Sequence, residues 1–129
     1  MRREEIRVAG LAEPISHYTD AVRAGELLFV SGVVAVDTAG RLVGADDVIA
    51  QARQVFESMR TVLGAAGCTF ADVVKVTIFL TDVDDRPLVN PVRQEVFGTT
   101  RPASTLVEVP RLAVEGAKIE VECVALLPS

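Results

Sequence analysis

Apolar positions along the chain follow two different periods. Between residues 46 and 66, Ile49, Ala52, Phe56, Met59, Leu63 and Ala66 recur at steps of three and four, with Val55 and Val62 beside them. That spacing predicts an amphipathic helix. Asp46 or Asp47 suits its N-cap, and Gly67 stands where a left-handed C-terminal residue belongs. The opposite face carries Gln51, Arg53, Glu57 and Arg60 and is expected to face water. Elsewhere the pattern is that of strands. Residues 5–9 alternate, Ala21 and Val22 lead to a turn at Gly25, and residues 27–30 and 33–36 flank Ser31-Gly32. Residues 37–40 are a turn signal, so these pieces read as antiparallel strands with tight connections. Val73–Leu80 is a long β-branched stretch, a central strand ended by residues 82–85. Asn90-Pro91 is expected to open a second helix, with Asn90 as N-cap and Val92, Val96 and Phe97 turned inward. Residues 105–109 and 118–126 complete the strands, joined through Pro110 and Gly116.

The predicted order is a β-rich start, helix, strand, helix and two strands, without internal repeats. One sheet with two helices on one face satisfies it, giving an α+β class and a single domain over residues 1–129. A chain of 129 residues is too short for two independent cores. Hydrophobic residues make up 50% and aromatics only 5%, so the core must be built from Val, Ala, Leu and Ile. The sheet face left bare by the helices is expected to be partly apolar, and a second copy of the chain is the simplest cover.

The formal net charge is −5, and no run of Lys or Arg interrupts it. Such a chain has no general attraction for a phosphate backbone, which disfavours nucleic acid as a partner. The start, Met1-Arg-Arg-Glu-Glu5, precedes no long apolar segment, and no apolar run approaches the roughly 20 residues that span a bilayer. A soluble, cytoplasmic protein without a membrane partner is expected. Cys68 and Cys123 form no CxxC pair and read as reduced core thiols, and His17 alone makes no metal site.

No phosphate loop, dinucleotide fingerprint or hydrolase elbow is present. Polar residues within apolar strands are the remaining chemical clues. Glu120 and Glu122 share one face of the last strand, with Glu108 on the strand before. They read either as an acid–base site or as a wet sheet face. Tyr18, the one tyrosine, either orients a ligand or caps a core edge. Asn90 reads as an N-cap or a ligand contact, and Ser31-Gly32 as a bulge or a close approach to ligand. Arg101 either holds an anion or stays solvated.

Ordered short pieces through nearly the whole chain carry a resemblance. They include His17-Tyr-Thr-Asp-Ala-Val22, Leu28-Phe-Val-Ser-Gly32, Gln51-Ala-Arg-Gln54, Val62-Leu-Gly-Ala-Ala-Gly67 and residues 72–80. Val89-Asn90, Phe97, Arg101-Pro-Ala103, Val107-Glu-Val109 and Lys118-Ile-Glu-Val-Glu122 follow. The chain resembles the Rid family, the YjgF-type imine and enamine deaminases, also labelled L-PSP endoribonucleases and translation inhibitors. The resemblance implies a chorismate-mutase-like α+β fold, a homotrimer and small-molecule sites in clefts between subunits. It implies hydrolysis of imine or enamine intermediates to a carbonyl product and ammonia, with neither metal nor organic cofactor.

By the same resemblance Glu120 handles the attacking water, and Tyr18, Ser31, Gly32 and Asn90 line the cleft. The deaminase arginine does not carry over. The family pattern Pro-Ala-Arg-Ser-x-Val-Glu-Val meets Pro102-Ala-Ser-Thr-Leu-Val-Glu-Val109 here, with Ser104 at the arginine position and Leu106 at the position of a Cys or Thr. Arg101 is three positions upstream beyond a proline, and alternate strand residues face opposite ways, so it does not simply take over. His17 for the usual Pro and Asp20 for the usual Gln are further departures. The expected function is therefore an imine or enamine hydrolase of altered specificity. A non-catalytic binding or sensing trimer and an RNA-directed translation inhibitor are the alternatives.

Overall fold

The long helix forms where its periodicity predicts. In the computed structural model, which describes residues 2–129, α1 spans Val48–Ala65. The Asp47 carboxylate accepts from the amide of Ala50 at 3.0 Å and caps the start. Gly67, at φ +80°, ends it, with Cys68 and Gly67 amides returning to the carbonyls of Leu63 and Gly64. Val48, Ala52, Val55, Phe56, Met59, Val62 and Leu63 are buried.

Two expectations for this helix change. Ile49 is exposed. Gln51, expected in water, is fully buried. Its amide nitrogen donates to the carbonyls of Gly44 and Gly116, both at 3.1 Å, and its amide oxygen accepts from the backbone of Lys118 at 2.7 Å. A polar side chain is stable in a core when every polar atom is satisfied, and here it satisfies three loop backbone groups in return.

The strands are β1 (Arg3–Ile6), β2 (Ala21–Ala24), β3 (Leu27–Val34), β4 (Val73–Leu80), β5 (Ala103–Glu108) and β6 (Ile119–Leu126). They form one sheet in the order β1-β2-β3-β6-β4-β5, antiparallel except for the β4–β5 pair. β1 begins and ends earlier than the alternation at residues 5–9 predicts. β5 and β6 are consecutive in sequence but do not pair, because β4 lies between them.

The second helix differs more. α2 spans Arg86–Phe97, so Asn90 lies inside it and not at its cap. Asp85 occupies the N-cap position, and Pro87 sits in the first turn, where a missing N–H costs nothing. Pro91 is interior, and its exposed position lets water serve the carbonyl it leaves free. Two prolines four residues apart compete for one role, and the earlier one wins.

Both helices lie on one sheet face. Phe56 of α1, Phe97 of α2 and Phe70 pack edge-on, with centroids 5.3–6.1 Å apart. Cys68 and Cys123 are buried, free thiols, and burial pushes that of Cys123 up to about 12. On the opposite face Phe29, Val107 and Leu126 remain exposed. Among the described residues, no helix is long and apolar enough to cross a membrane.

Replacing Gln51 by leucine strips partners from three backbone groups. Gln51→Leu is expected to lower stability by about 2–5 kcal/mol, read from urea unfolding. A loss under 0.5 kcal/mol, about what a surface substitution costs, would mean that those groups are satisfied without it.

Candidate functional site

The predicted site residues fall into two groups, the first placed by a bulge and the second by the free edge of the sheet. The first lies at a break in β3. The pairing of β3 with β6 shifts register between Val30 and Val33, so Ser31-Gly32 forms a bulge. The Ser31 amide donates to the Asp20 carbonyl at 3.0 Å, and its hydroxyl donates to the Thr19 carbonyl at 2.6 Å. The bulge is thereby tied to the segment carrying Tyr18, which is 48% exposed. Its phenol oxygen accepts from the amide of Ile15 at 3.4 Å.

Arg7 shapes the same loop. Its guanidinium donates to the Asp20 carboxylate at 2.7 Å and to the carbonyls of Val8, Leu11 and Ala12. Asp20 also accepts from the Val8 amide at 2.7 Å through the same Oδ2, so one carboxylate oxygen is spent on the loop while the residue still lines the adjoining cavity. His17 is exposed.

Glu120 of β6 lies over Gly32. A Cβ on residue 32 would meet the Glu120 carboxylate and stand 2.9 Å from its Cδ, so glycine lets the carboxylate lie this close to the backbone and a side chain would displace it. The Glu120 carboxyl is half-buried, and desolvation, with Glu122 beside it adding to the effect, raises its pKa above the ordinary 4.5. Tyr18, Ser31, Gly32, Val114 and Glu120 line one shallow pocket. An adjoining cavity of about 150 Å³, walled by Leu11, Pro14, Val36 and Val62, continues it toward α1.

The second group lies at the free edge of the sheet. β5 pairs only with β4, and Ser104 is in register with Val76, which is fully buried. Ser104 is exposed on the helix side of that edge. Its hydroxyl accepts from Nη2 of Arg93 on α2 at 2.8 Å. Asn90 is partly buried one helical turn before Arg93, and Leu106 packs against the core. Arg101 is exposed just before β5. Glu108, on the helix side, accepts from the amide of Val83 at 3.0 Å, which separates it from Glu120 and Glu122.

Glu120 is in register with Phe79 on the face away from the helices, whereas Ser104 is on the helix side beyond β4. One chain does not bring the two groups together. Sequence reasoning missed Arg93 and Arg7. The signal for Arg93 is its three-residue spacing from Asn90, visible only once the helix is known to start at Arg86.

Residues 10–127 match the family model described as endoribonuclease L-PSP. The chain belongs to this Rid family. A RutC family protein of Pyrococcus horikoshii is 37% identical over 123 residues, covering 95% of this chain and 97% of that one. The human 2-iminobutanoate/2-iminopropanoate deaminase is 32% identical over 124 residues, 96% of this chain and 90% of its own. The crystal structure of Escherichia coli TdcF with bound serine superimposes with a TM-score of 0.88 at 29% identity, covering 97% and 99%. Two helices on a six-stranded mixed sheet are the fold of these Rid relatives, as the resemblance implied.

The raised Glu120 pKa has a definite consequence for stability. A carboxyl whose folded pKa exceeds its unfolded value contributes stability fully present below the unfolded value and lost as pH rises through the folded one. Glu120→Gln is therefore expected to gain stability relative to wild type as pH increases above 4.5. Thermal melts of both proteins from about pH 4 to about pH 8 check this, and a constant difference would mean that the carboxyl sits in water.

Proposed function

We propose that the chain hydrolyses reactive imines or enamines to a carbonyl compound and ammonia, in clefts shared between subunits of a homotrimer. The observation that carries this reading is Glu120, a half-buried carboxyl of raised pKa laid against the bare backbone of Gly32 beside Tyr18 and Ser31. A carboxyl with its pKa moved toward neutrality is suited to take a proton and return it.

The reaction balances with water alone. An enamine first takes a proton at its terminal carbon and becomes the iminium. Water adds to the C=N carbon while Glu120 accepts its proton. The carboxyl then returns that proton to the nitrogen, the C–N bond breaks as ammonia leaves, and the hydroxyl gives its proton to solvent as C=O forms, which balances the proton the enamine took up. Tyr18 and Ser31 orient the substrate from the same subunit, and Asn90 reaches it from the neighbour. The name of the human relative supports the chemistry, and the serine of TdcF supports an amino-acid-sized ligand.

The separation of the two residue groups within one chain and the exposed Phe29, Val107 and Leu126 support an intersubunit cleft. Ser104, offering one neutral hydroxyl at the position where the family pattern has an arginine, supports an altered specificity. The same serine favours a second reading, a trimer that binds its ligand without turning it over.

Ammonia release from freshly generated 2-iminobutanoate distinguishes the two. Glu120→Gln is expected to abolish release, while Glu122→Gln stays within a few-fold of wild type. Turnover that survives in Glu120→Gln would remove Glu120 from the reaction, and a wild type without turnover on any imine would favour the binding protein. Light scattering on dilute protein is expected to give three times the chain mass. A monomer mass would eliminate the shared cleft.

A further inference from the structure

The arginines of this chain divide sharply by environment. Arg3, Arg7, Arg23, Arg41, Arg53 and Arg60 each pair with a carboxylate. Arg2, Arg86, Arg101 and Arg111 are exposed and solvated. Among the described residues, Arg93 alone is partly buried without an acidic partner. Burial is the one cause acting on its pKa, which it lowers, and no carboxylate offsets it. Guanidinium stays protonated in proteins, so a positive charge is held partly desolvated with nothing to balance it.

Its one hydrogen bond goes to the Ser104 hydroxyl at 2.8 Å. A guanidinium has five N–H donors, so four remain. By accepting from Arg93, the serine oxygen is left with its own proton to give. Both side chains lie at an open sheet edge, with Asn90 on the same helix face. Charge, free donors and access describe the receiving half of an anion contact.

We propose that Arg93, reaching from α2 and fixed by Ser104, holds the carboxylate of the substrate. The inference rests on the hydrolase reading for the identity of the substrate, a carboxylate-bearing imine, but not for the anion site itself. Two donors from Arg93 and one from Ser104 can grip two carboxylate oxygens. The charge comes from the helix and not from the strand, so Ser104 becomes a component of the clamp and no longer marks a missing one. Arg93 is a specificity-determining residue and takes no part in proton transfer.

The test compares binding of 2-oxobutanoate with that of its uncharged amide, by calorimetry on the wild-type assembly and its variants. Wild type is expected to prefer the acid by about 10- to 100-fold, the range of one or two charged hydrogen bonds. Arg93→Gln is expected to erase the preference, and Arg93→Lys to keep part of it. Ser104→Asp, which leaves Arg93 in place but neutralises it with a paired carboxylate, is expected to erase it too, and decides the matter should Arg93→Gln not fold. Equal binding of acid and amide by wild type, or a preference that persists in Arg93→Gln or Ser104→Asp, overturns the assignment. Hydrolysis of imines without any acid preference would leave the hydrolase reading intact and remove Arg93. An Arg93-dependent preference without turnover would do the reverse.

Discussion

The buried amide of Gln51 is the constraint on which the rest of the molecule depends. One side chain on the first turn of α1 satisfies the carbonyl of Gly44, the carbonyl of Gly116 and the amide of Lys118. These groups belong to the loop before the helix and to the approach to β6. Lys118 is two residues from Glu120, so the same amide sets where β6 begins and where Glu120 emerges from the sheet. With Glu120 placed, glycine at residue 32 leaves its carboxylate where it lies, because a side chain there would push that carboxylate aside. The bulge in β3 and its ties to Thr19 and Asp20 then bring Tyr18 alongside. A core hydrogen bond and a site geometry are thus one chain of contacts.

Much of this framework was legible from periodicity, and the exceptions share a cause. Val73–Leu80 was read with its bounds correct because a β-branched run between breakers has no competing reading. α1 was found, but a helical wheel sorts Gln51 with Arg53 and Glu57 although its amide can be satisfied in a core. Asn90-Pro91 carries a strong cap signal, yet Pro87 carries the same signal four residues earlier. Local propensity offers both starts, and the packing of Val89, Val92 and Phe97 selects one. A helix taken to start at Asn90 leaves Arg93 without an assigned face, whereas a start at Arg86 puts it one turn after Asn90 and beside Ser104. The Glu120 pairing with Gly32 lay beyond any pattern, because the two residues are neighbours only through strand register.

The separation of the two residue groups follows from topology. β6 enters the middle of the sheet between β3 and β4, which places Glu120 centrally. β5 closes the sheet at its edge, carrying Ser104 outward beside α2. No side-chain rearrangement bridges an intervening strand and a change of sheet face. A site requiring both groups must take them from different chains, and the free edge of β5 and the bare apolar face are the surfaces available for that contact.

Ser104 and Arg93 also constrain each other. An arginine at 104 would put a second guanidinium against the first in a partly desolvated place, where like charges repel strongly. Serine removes that conflict and accepts a hydrogen bond that fixes the remaining charge. The converse holds as well, because without Arg93 a serine at this edge would be an ordinary solvated hydroxyl. What a charged ligand requires is a cation at one place, and the backbone position that supplies it is secondary. A neighbouring helix can deliver the same group as a strand, provided that its register brings the right residue to the edge. On α2 that register is set by the start at Arg86, which brings Arg93 to Ser104 of β5, one turn after Asn90. The cap that the helix does not use is therefore the reason the guanidinium arrives where it does.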